Sequence, residues 1–470
     1  MNRATLELFA PLDRAAPTPL RAQLEDAICA AITGGGAPAG TRLPASRVLA
    51  EALGVSRGVV SEAYAQIAAE GWIEVRHGAA PVVRDVPAAP GAAGSVGAAA
   101  LPAGAAPAGA DTSPAGAAPP APRLDLTATA PDLSAFPRRA WSAALRHVLA
   151  TMPDAALDYG EPHGDAELRA ELAAYLVRVR GVAPAALVVT GGYTQGLWLT
   201  CRALAARGAT RVAVEDPSLD DSWATIRSAG LEVAGVPVDE HGIVPDDLDA
   251  DAVLVTPAHQ FPTGAVLAPE RRRALLAWGG IVIEDDYDSE YRYDRAPIGT
   301  LQRLAPDRVV YLGTASKTLA PALRLGWLLA PPALADAIAQ ERWAVDSGGA
   351  AIAARAYARL LATGEVDRHL RRTRREYRER RDRLVAALAQ RLPTCRVDGV
   401  AAGLHLLLRL PAGTDERAVV AALNEQRVRI RGLDSYRLAP REDEPALVLG
   451  YGRIPMAAID AAVDQLTTAV

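Results

Sequence analysis

The stretch from Val86 to Pro122, VPAAPGAAGSVGAAALPAGAAPAGADTSPAGAAPPAP, carries almost no charge and shows no periodic apolar face. A run of Ala, Pro and Gly of this kind has nothing to pack and reads as a linker of mixed flexible and polyproline character. A Gly-rich coil of its 37 residues would span roughly 35 Å, and the prolines lengthen that. The chain is therefore expected to divide into a small domain at 1–85, a linker at 86–122 and a large domain at 123–470.

At 470 residues there is room for more than one domain and for one large core. Half the residues are hydrophobic and 22% are charged, which suits a soluble globular protein. No apolar run is long enough to span a bilayer, and the N-terminal MNRATLELFAPLDR lacks the apolar core of a signal peptide, so a cytoplasmic location is expected. Cys29, Cys201 and Cys395 are few, far apart and odd in number, and suggest neither a disulfide framework nor a metal site. The net charge of -5 does not advertise nucleic-acid binding, and residues 1–85 hold eight arginines against nine acids. Any case for DNA must rest on where the arginines sit.

In the large domain, short apolar strands alternate with segments of helix length. Ala186–Thr190, Arg211–Glu215, Leu231–Val238, Ala252–Thr256, Gly280–Asp286 and Arg308–Gly313 read as buried strands. That rhythm predicts a mostly parallel α/β sheet with ligands at the carboxyl ends of its strands. From about residue 366 the chain changes character, and a long arginine-rich helix, Val366–Leu392, opens a smaller C-terminal lobe at about 366–470. Its RHLRRTRREYRERRDRL is basic, but Glu376, Glu379 and Asp382 lie within one helical turn of arginines, which favours a solvated helix over a nucleic-acid patch.

The predicted strand ends carry the chemistry. Of the 50 basic residues only Lys317, in GTASKTLAPALRLGW, is a lysine. Arginine serves as well for surface charge, but it cannot lose a proton and attack a carbonyl. In VVTGGYTQGL, Gly192, Tyr193 and Thr194 stand where a strand gives way to a helix, and free N–H groups there suit a phosphate. GIVIEDDYDSEY ends an apolar strand in three acids and a tyrosine, and burying those acids requires something positive nearby. Thr314, Ser316 and Arg324 surround the lysine in sequence. An amine, anion binders and a carboxylate are together what pyridoxal phosphate needs for its aldehyde, its phosphate and its ring nitrogen.

Residues 123–470 resemble the aminotransferase-like domain of fold-type I pyridoxal-phosphate proteins, particularly the MocR/PdxR subgroup. The resemblance rests on PDLSAFPRRAW, DYGEPHGDAELRAELAAYLVRVRGV, TPAHQFPTG, IEDDYDSEYRY and GTASKTLAPALRLGW. It implies that Lys317 carries the internal aldimine, Asp285 pairs with the pyridine nitrogen and Tyr287 contacts the ring hydroxyl. Gly192, Tyr193, Thr194, Thr314, Ser316 and Arg324 would surround the phosphate, and His259 and Gln260 would lie on the loop approaching the ring. The sequence departs from the pattern where Leu219 replaces a usual aromatic and Asp221 stands where some members carry an arginine. The nearest candidate for a clamp on a substrate carboxylate is Arg453, since the strand position that often holds this arginine is Val448.

In the small domain, PLRAQLEDAICAAITGG and SRVLAEAL have helical apolar spacing, SRGVVSEAYAQIAAEG follows a short turn, and WIEVRHGAAPVV reads as a hairpin. Three helices and a hairpin suit a winged helix-turn-helix. TRLPASRVLAEALGVSRGVVSEAYAQIAAEGWIEVRHG resembles the GntR-family DNA-binding domain. Arg42 and Arg47 flank the second helix, Ser56 and Arg57 open the third, and Arg76, His77 and Gly78 fall on the wing. Arg47, Ser56, Arg57, His77 and Gly78 are the DNA contacts that the resemblance implies, and arginine placement adds Arg42 and Arg76.

A GntR-type reader on an aminotransferase-like body is the layout of MocR-type regulators. The expectation is a dimeric transcriptional regulator that binds promoter DNA and senses pyridoxal phosphate, or an amino compound, through Lys317. A working aminotransferase and a DNA-binding protein whose body no longer holds the cofactor are the alternatives.

Overall fold

The computed structural model describes residues 12–14, 19–33, 35–75, 80–84, 122–182, 186–246, 248–293, 298–438 and 444–470. The wing residues Arg76, His77 and Gly78 and the linker from 86 to 121 lie outside the described residues.

The N-terminal unit contains helices α1 (Leu20–Thr33), α2 (Ser46–Leu53) and α3 (Arg57–Ala69), followed by the antiparallel strands β1 (Ile73–Glu74) and β2 (Val82–Val83). Gly54 ends α2 in the left-handed region at φ 65°, a conformation that costs glycine nothing and lets the chain turn within three residues into α3. Ser56 caps α3, its hydroxyl accepting from the Val59 N–H at 3.4 Å. Leu24, Ile28, Leu49, Val60, Ile67 and Trp72 close one small core among these elements.

The large domain is built on β3 (Leu187–Thr190), α4 (Tyr193–Ala205), β4 (Arg211–Asp216), α5 (Asp220–Ser228), β5 (Glu232–Asp239), β6 (Gly242–Ile243), β7 (Ala252–Val255), α6 (Pro269–Trp278), β8 (Ile281–Asp286), α7 (Leu301–Leu304), β9 (Val309–Thr314) and β10 (Gly326–Leu329). The sheet order is β3-β10-β9-β8-β7-β4-β5-β6. Its centre, from β9 to β5, is parallel, whereas β10 runs antiparallel to both β9 and β3. The expectation of a mostly parallel sheet thus holds for the centre and is corrected at both edges, since β6 likewise runs antiparallel to β5. β10 is the four-residue run GWLL, too short and too close to the lysine motif to read as a strand of its own.

Alternation along the strands feeds two cores. Val212, Val214, Leu254, Ile283, Val310 and Leu312 face one layer of helices. Ala213, Val253, Val255, Val282 and Val309 face the other with Leu275 and Leu301. Each fully buried Val, Leu or Ile contributes about 1.5–3 kcal/mol over exposure, so this pattern fixes the register.

The C-terminal lobe opens with α8 (Glu365–Arg391), whose Leu370, Tyr377, Leu384 and Leu388 are buried. Its outer face pairs internally, with Arg375 to Glu379 and Arg378 to Asp382 each at 3.8 Å, as a solvated helix should. The strands β11 (Arg396–Asp398), β12 (His405–Arg409), β13 (Arg431–Gly432) and β14 (Ala446–Gly450) form a second sheet in the order β11-β12-β14-β13.

The reader rests on the body through α1 and the C-terminal end of α3. Glu70 Oε1 accepts from the Gly299 N–H at 3.1 Å, Arg303 Nη2 reaches Asp26 Oδ1 at 2.6 Å, and Arg273 Nη1 donates to the Gly71 carbonyl at 2.8 Å. The face was not legible in sequence, because it joins residues more than 200 positions apart.

Candidate functional site

Alternation along β8 sends Asp285 to the face opposite Glu284 and Asp286, and those two meet different partners. Glu284 accepts from the N–H groups of Leu301 and Gln302, both at 3.0 Å, at the start of α7. Asp286 accepts from Arg180 Nε at 2.6 Å and from the Tyr311 hydroxyl at 2.7 Å. Asp285 turns between them into a cavity, and its Oδ1 is buried without a hydrogen-bond partner. Burial, with Asp286 close by, holds the Asp285 carboxyl well above the usual carboxylate range, while Lys317 opposes this.

The cavity measures about 370 Å³, within the usual range for a small-molecule site. It brings Asp285 together with Tyr193, Thr194, Tyr287, Thr314, Ser316, Lys317 and Arg324. Lys317 Nζ donates to Thr129 Oγ1 at 3.2 Å. Desolvation lowers the ammonium's pKa below that of an ordinary lysine, and the Asp285 charge opposes this only in part. An amine whose proton is held loosely is one that can act as a nucleophile.

At the other end, α4 begins at Gly192 with no side chain capping its first N–H groups. A Cβ added to Gly192 would stand 3.3 Å from Arg324 Nη2, so the guanidinium lies against the helix start. Thr314 Oγ1 and Ser316 Oγ, 3.0 Å apart, complete a polar wall. Two non-glycine residues beside the cavity, Thr129 at φ 57° and Arg324 at φ 50°, occupy the left-handed region. Such positions cost on the order of 1 kcal/mol or more each and persist where the surroundings hold them.

These residues fit pyridoxal phosphate. An orphaned carboxylate oxygen suits a ring N–H, an uncapped helix start beside a guanidinium suits a phosphate, and a buried amine suits an aldehyde. A cationic N–H set against Asp285 would also return that carboxyl to its ionised form.

The sequence-predicted residues do not all reach the cavity. The His259 ring is buried behind it, 2.9 Å from Asp288 Oδ2 and 3.2 Å from the Tyr287 hydroxyl. Gln260 is held by Glu215 and by the carbonyls of Pro217 and Phe261. Phe261, the next residue, supplies the wall instead. Arg453 is turned onto Asp125 at 3.2 Å and does not line the cavity. His259, Asp288 and His405 place three possible metal-ligand atoms within 4.8 Å, but a 2.9 Å Nδ1–Oδ2 distance is a hydrogen bond's.

Sequence reasoning missed Thr129, Glu215, Arg431 and Tyr436, all on the cavity wall. Burial pushes the Glu215 carboxyl up to about 7 against its bonds from Thr256 and Gln260. An acid closing the apolar run RVAVE was its available signal. Thr129 and Arg431 carry none, since only tertiary structure brings them here.

In the reader, Arg42, Arg47, Ser56 and Arg57 are exposed. Arg57 opens α3, whose 13 residues span about 20 Å, and the opposite end of that helix meets the body at Glu70. The arginine-bearing end is therefore turned away from the contact with the body.

Comparison with known proteins agrees with this two-part layout. The profile of aminotransferase class I and II matches residues 124–469, and that of bacterial regulatory proteins of the gntR family matches residues 20–83. The pyridoxine biosynthesis transcriptional regulator PdxR of Corynebacterium glutamicum is 34% identical, over 93% of this chain and 92% of its own. The probable rhizopine catabolism regulatory protein MocR of Rhizobium meliloti is 31% identical, over 97% and 95%. The chain belongs to the MocR-type transcriptional regulators. Like others of the MocR type, it joins a winged helix-turn-helix to an aminotransferase fold. An archaeal alanine:glyoxylate aminotransferase superposes with a TM-score of 0.67 at 26% identity, covering 73% of this chain and 90% of that one. The α-aminoadipate aminotransferase LysN of Thermus thermophilus, solved with a phosphopyridoxyl-leucine, gives 0.67 at 25% identity, covering 74% and 91%. Among the described residues of this MocR-type chain, no helix is long and apolar enough to cross a membrane.

Proposed function

We propose that this chain is a transcriptional regulator in which pyridoxal phosphate, bound covalently through Lys317, serves as the sensing group. The observation that carries this is Lys317 itself: the only lysine of the sequence lies in one cavity with the orphaned Asp285 oxygen and with Arg324. Bound pyridoxal phosphate would supply an electron sink conjugated to an aldehyde carbon. Asp285 would hold the ring nitrogen protonated and Tyr287 would face the ring hydroxyl. Gly192, Tyr193, Thr194, Thr314, Ser316 and Arg324 would hold the phosphate. Arg42, Arg47, Ser56 and Arg57, with Arg76, His77 and Gly78 on the wing, would contact promoter DNA.

A dimer presenting two readers fits the exposed apolar side chains Leu149, Leu157, Tyr159, Val345 and Ile352. Ligand binding regulates only if it favours one arrangement of the readers over another. The alternative, a working aminotransferase, has less support: Arg453 reaches Asp125 and does not line the cavity, and Arg431 on the wall is paired with Asp220.

DNase footprinting upstream of the chain's own gene, with and without pyridoxal phosphate, tests the proposal. Protection that changes with the cofactor supports it, and transamination without protection would support the enzyme. Lys317→Ala should abolish borohydride trapping of the cofactor in a folded protein. Trapping that survives would refute the assignment of the lysine.

A further inference from the structure

The cavity extends beyond the Lys317 amine to an outer wall of Leu219, Asp221, Ser222, Arg431 and Tyr436. This wall decides what can approach the lysine-bound end of a cofactor, so its charges select the effector.

An amino acid would bring a carboxylate, which on entering needs a cation with free N–H groups. Arg431, the arginine of the outer wall, has four of its five N–H groups engaged, one of them by the Ser435 carbonyl at 3.1 Å. Its Nη1 and Nη2 grip both oxygens of Asp220 at 3.2 and 2.8 Å, its Nε donates to Ser435 Oγ at 3.1 Å, and its plane lies 4.2 Å from the Tyr436 ring centre. Arg453 reaches Asp125 through Nη1 and, although its Nε has no hydrogen-bond partner, does not line the cavity, and Arg324 lies at the far end against Gly192. Behind the wall, Val448 packs with Phe261, Tyr287, Leu433 and Tyr436 in a wholly apolar layer. A carboxylate here would exchange its water for at most the remaining Arg431 N–H and neutral hydroxyls such as that of Ser222, with no bidentate clamp.

The anion on this wall is the informative group. Asp221 stands in the first turn of α5 on the exposed rim of the cavity, and no hydrogen bond or ion pair within the described residues ties down its carboxylate. Its neighbour Asp220 is the one committed to Arg431, so the two acids have different tasks.

We infer that the effector is an aliphatic amine with a second ammonium group and no carboxylate, a diamine or polyamine, whose distal charge is received by Asp221. This rests on the cofactor reading given above. Leu219 and the Tyr436 ring then serve as the apolar channel along which the methylenes lie. Asp221 is a specificity determinant: it selects among amines without touching the cofactor.

The test is calorimetric titration of the full-length protein loaded with pyridoxal phosphate. Diaminoalkanes of about three to five carbons are compared with monoamines and ω-amino acids of matched length. A charge-assisted contact of about 1.5 kcal/mol corresponds to roughly tenfold in affinity. The best diamine should bind roughly tenfold more tightly than its monoamine and its amino acid. Asp221→Asn should abolish the gap between diamine and monoamine, and Asp221→Arg should turn the preference toward the amino acid. The inference is overturned by an amino acid that binds as tightly as the diamine, which would mean that Arg431 leaves Asp220 for it. It is equally overturned if no diamine binds to loaded protein, or if Asp221→Asn keeps the selectivity. Failure to take up pyridoxal phosphate, read by absorbance before any amine is added, would refute the cofactor reading and this inference together.

Discussion

Replacing Glu25 by glutamine should stabilise the protein above neutral pH and leave it nearly unchanged in mild acid. Glu25 lies on α1 at the contact between reader and body and is only 4% exposed. Its oxygens are 3.2 Å from Arg21 Nε and 3.9 Å from Arg303 Nη1, while the short 2.6 Å contact of Arg303 goes to Asp26. Burial pushes the Glu25 carboxyl from 4.5 up to about 7; Arg21 and Arg303 pull against this, and Glu70 and Asp26 add to it. A value raised on folding means that the ionised form is the disfavoured one. The stability is therefore complete below about 4.5, declines as pH rises and is lost above about 7. The rise from 4.5 to about 7 corresponds to roughly 3 kcal/mol, and local relaxation and water entry reduce this to about 1–2 kcal/mol. Glutamine keeps the shape and cannot ionise, so it removes the penalty at every pH. Calorimetric unfolding of wild type and Glu25→Gln at about pH 5 and about pH 8.5 reads the difference. A variant less stable than wild type at the higher pH would refute the reasoning, because Glu25 would then be ionised and net favourably paired with its two arginines.

Two further outcomes follow from local geometry. Arg57→Ala at the start of α3 should weaken binding to promoter fragments, and should reduce the slope of log affinity against log salt by about one if it meets a phosphate. Loss of sequence discrimination with an unchanged slope would assign it to a base instead. Gly326→Ala should loosen the phosphate end of the cavity: its Cβ would fall 2.7 Å from Gly192 Cα and 2.9 Å from the Gly313 carbonyl oxygen, so β10 and the Arg324 turn must move. A loss of tenfold or more in pyridoxal-phosphate affinity is expected by equilibrium absorbance titration, about 1.4 kcal/mol, and unchanged affinity would show that Arg324 is not held by this contact.

The parts of this molecule legible in its sequence are those where chemistry and local pattern coincide. The apolar runs of β4, β7, β8 and β9 were visible because a strand buried on both faces has little choice of residue. Lys317 was visible because arginine had replaced lysine everywhere else. By its chemistry Asp285 was one of three acids and only the family resemblance singled it out; the structure separates it by giving Glu284 and Asp286 partners and leaving an Asp285 oxygen without one. His259 and Gln260 came from the resemblance carried by TPAHQFPTG, and their hydrogen bonds turn them away from the cavity. Thr129 and Arg431 escaped notice because common residues acquire a task only through contacts made far along the chain.

The end of β8 shows how one strand can serve both halves of a regulator. Asp285 faces the cavity, while Glu284, one residue earlier, accepts from the N–H groups of Leu301 and Gln302. The next residue, Arg303, holds Asp26 of the reader, and the Gly299 N–H just before α7 is held by Glu70. Glu284 is fully committed to those two N–H groups, so a displacement of the strand end carries α7 with it rather than breaking buried hydrogen bonds whose loss costs about 1–3 kcal/mol each. Arg303 and Gly299 stand on either side of that anchor, one gripping α1 and the other the end of α3. The cavity and the reader are thus attached to adjacent residues of a single strand through buried hydrogen bonds, with Leu304 of α7 packing against the cores of both beside them. Any rearrangement that a ligand causes at Asp285 has a short, polar and wholly buried route to the helix that presents Arg57 at its other end.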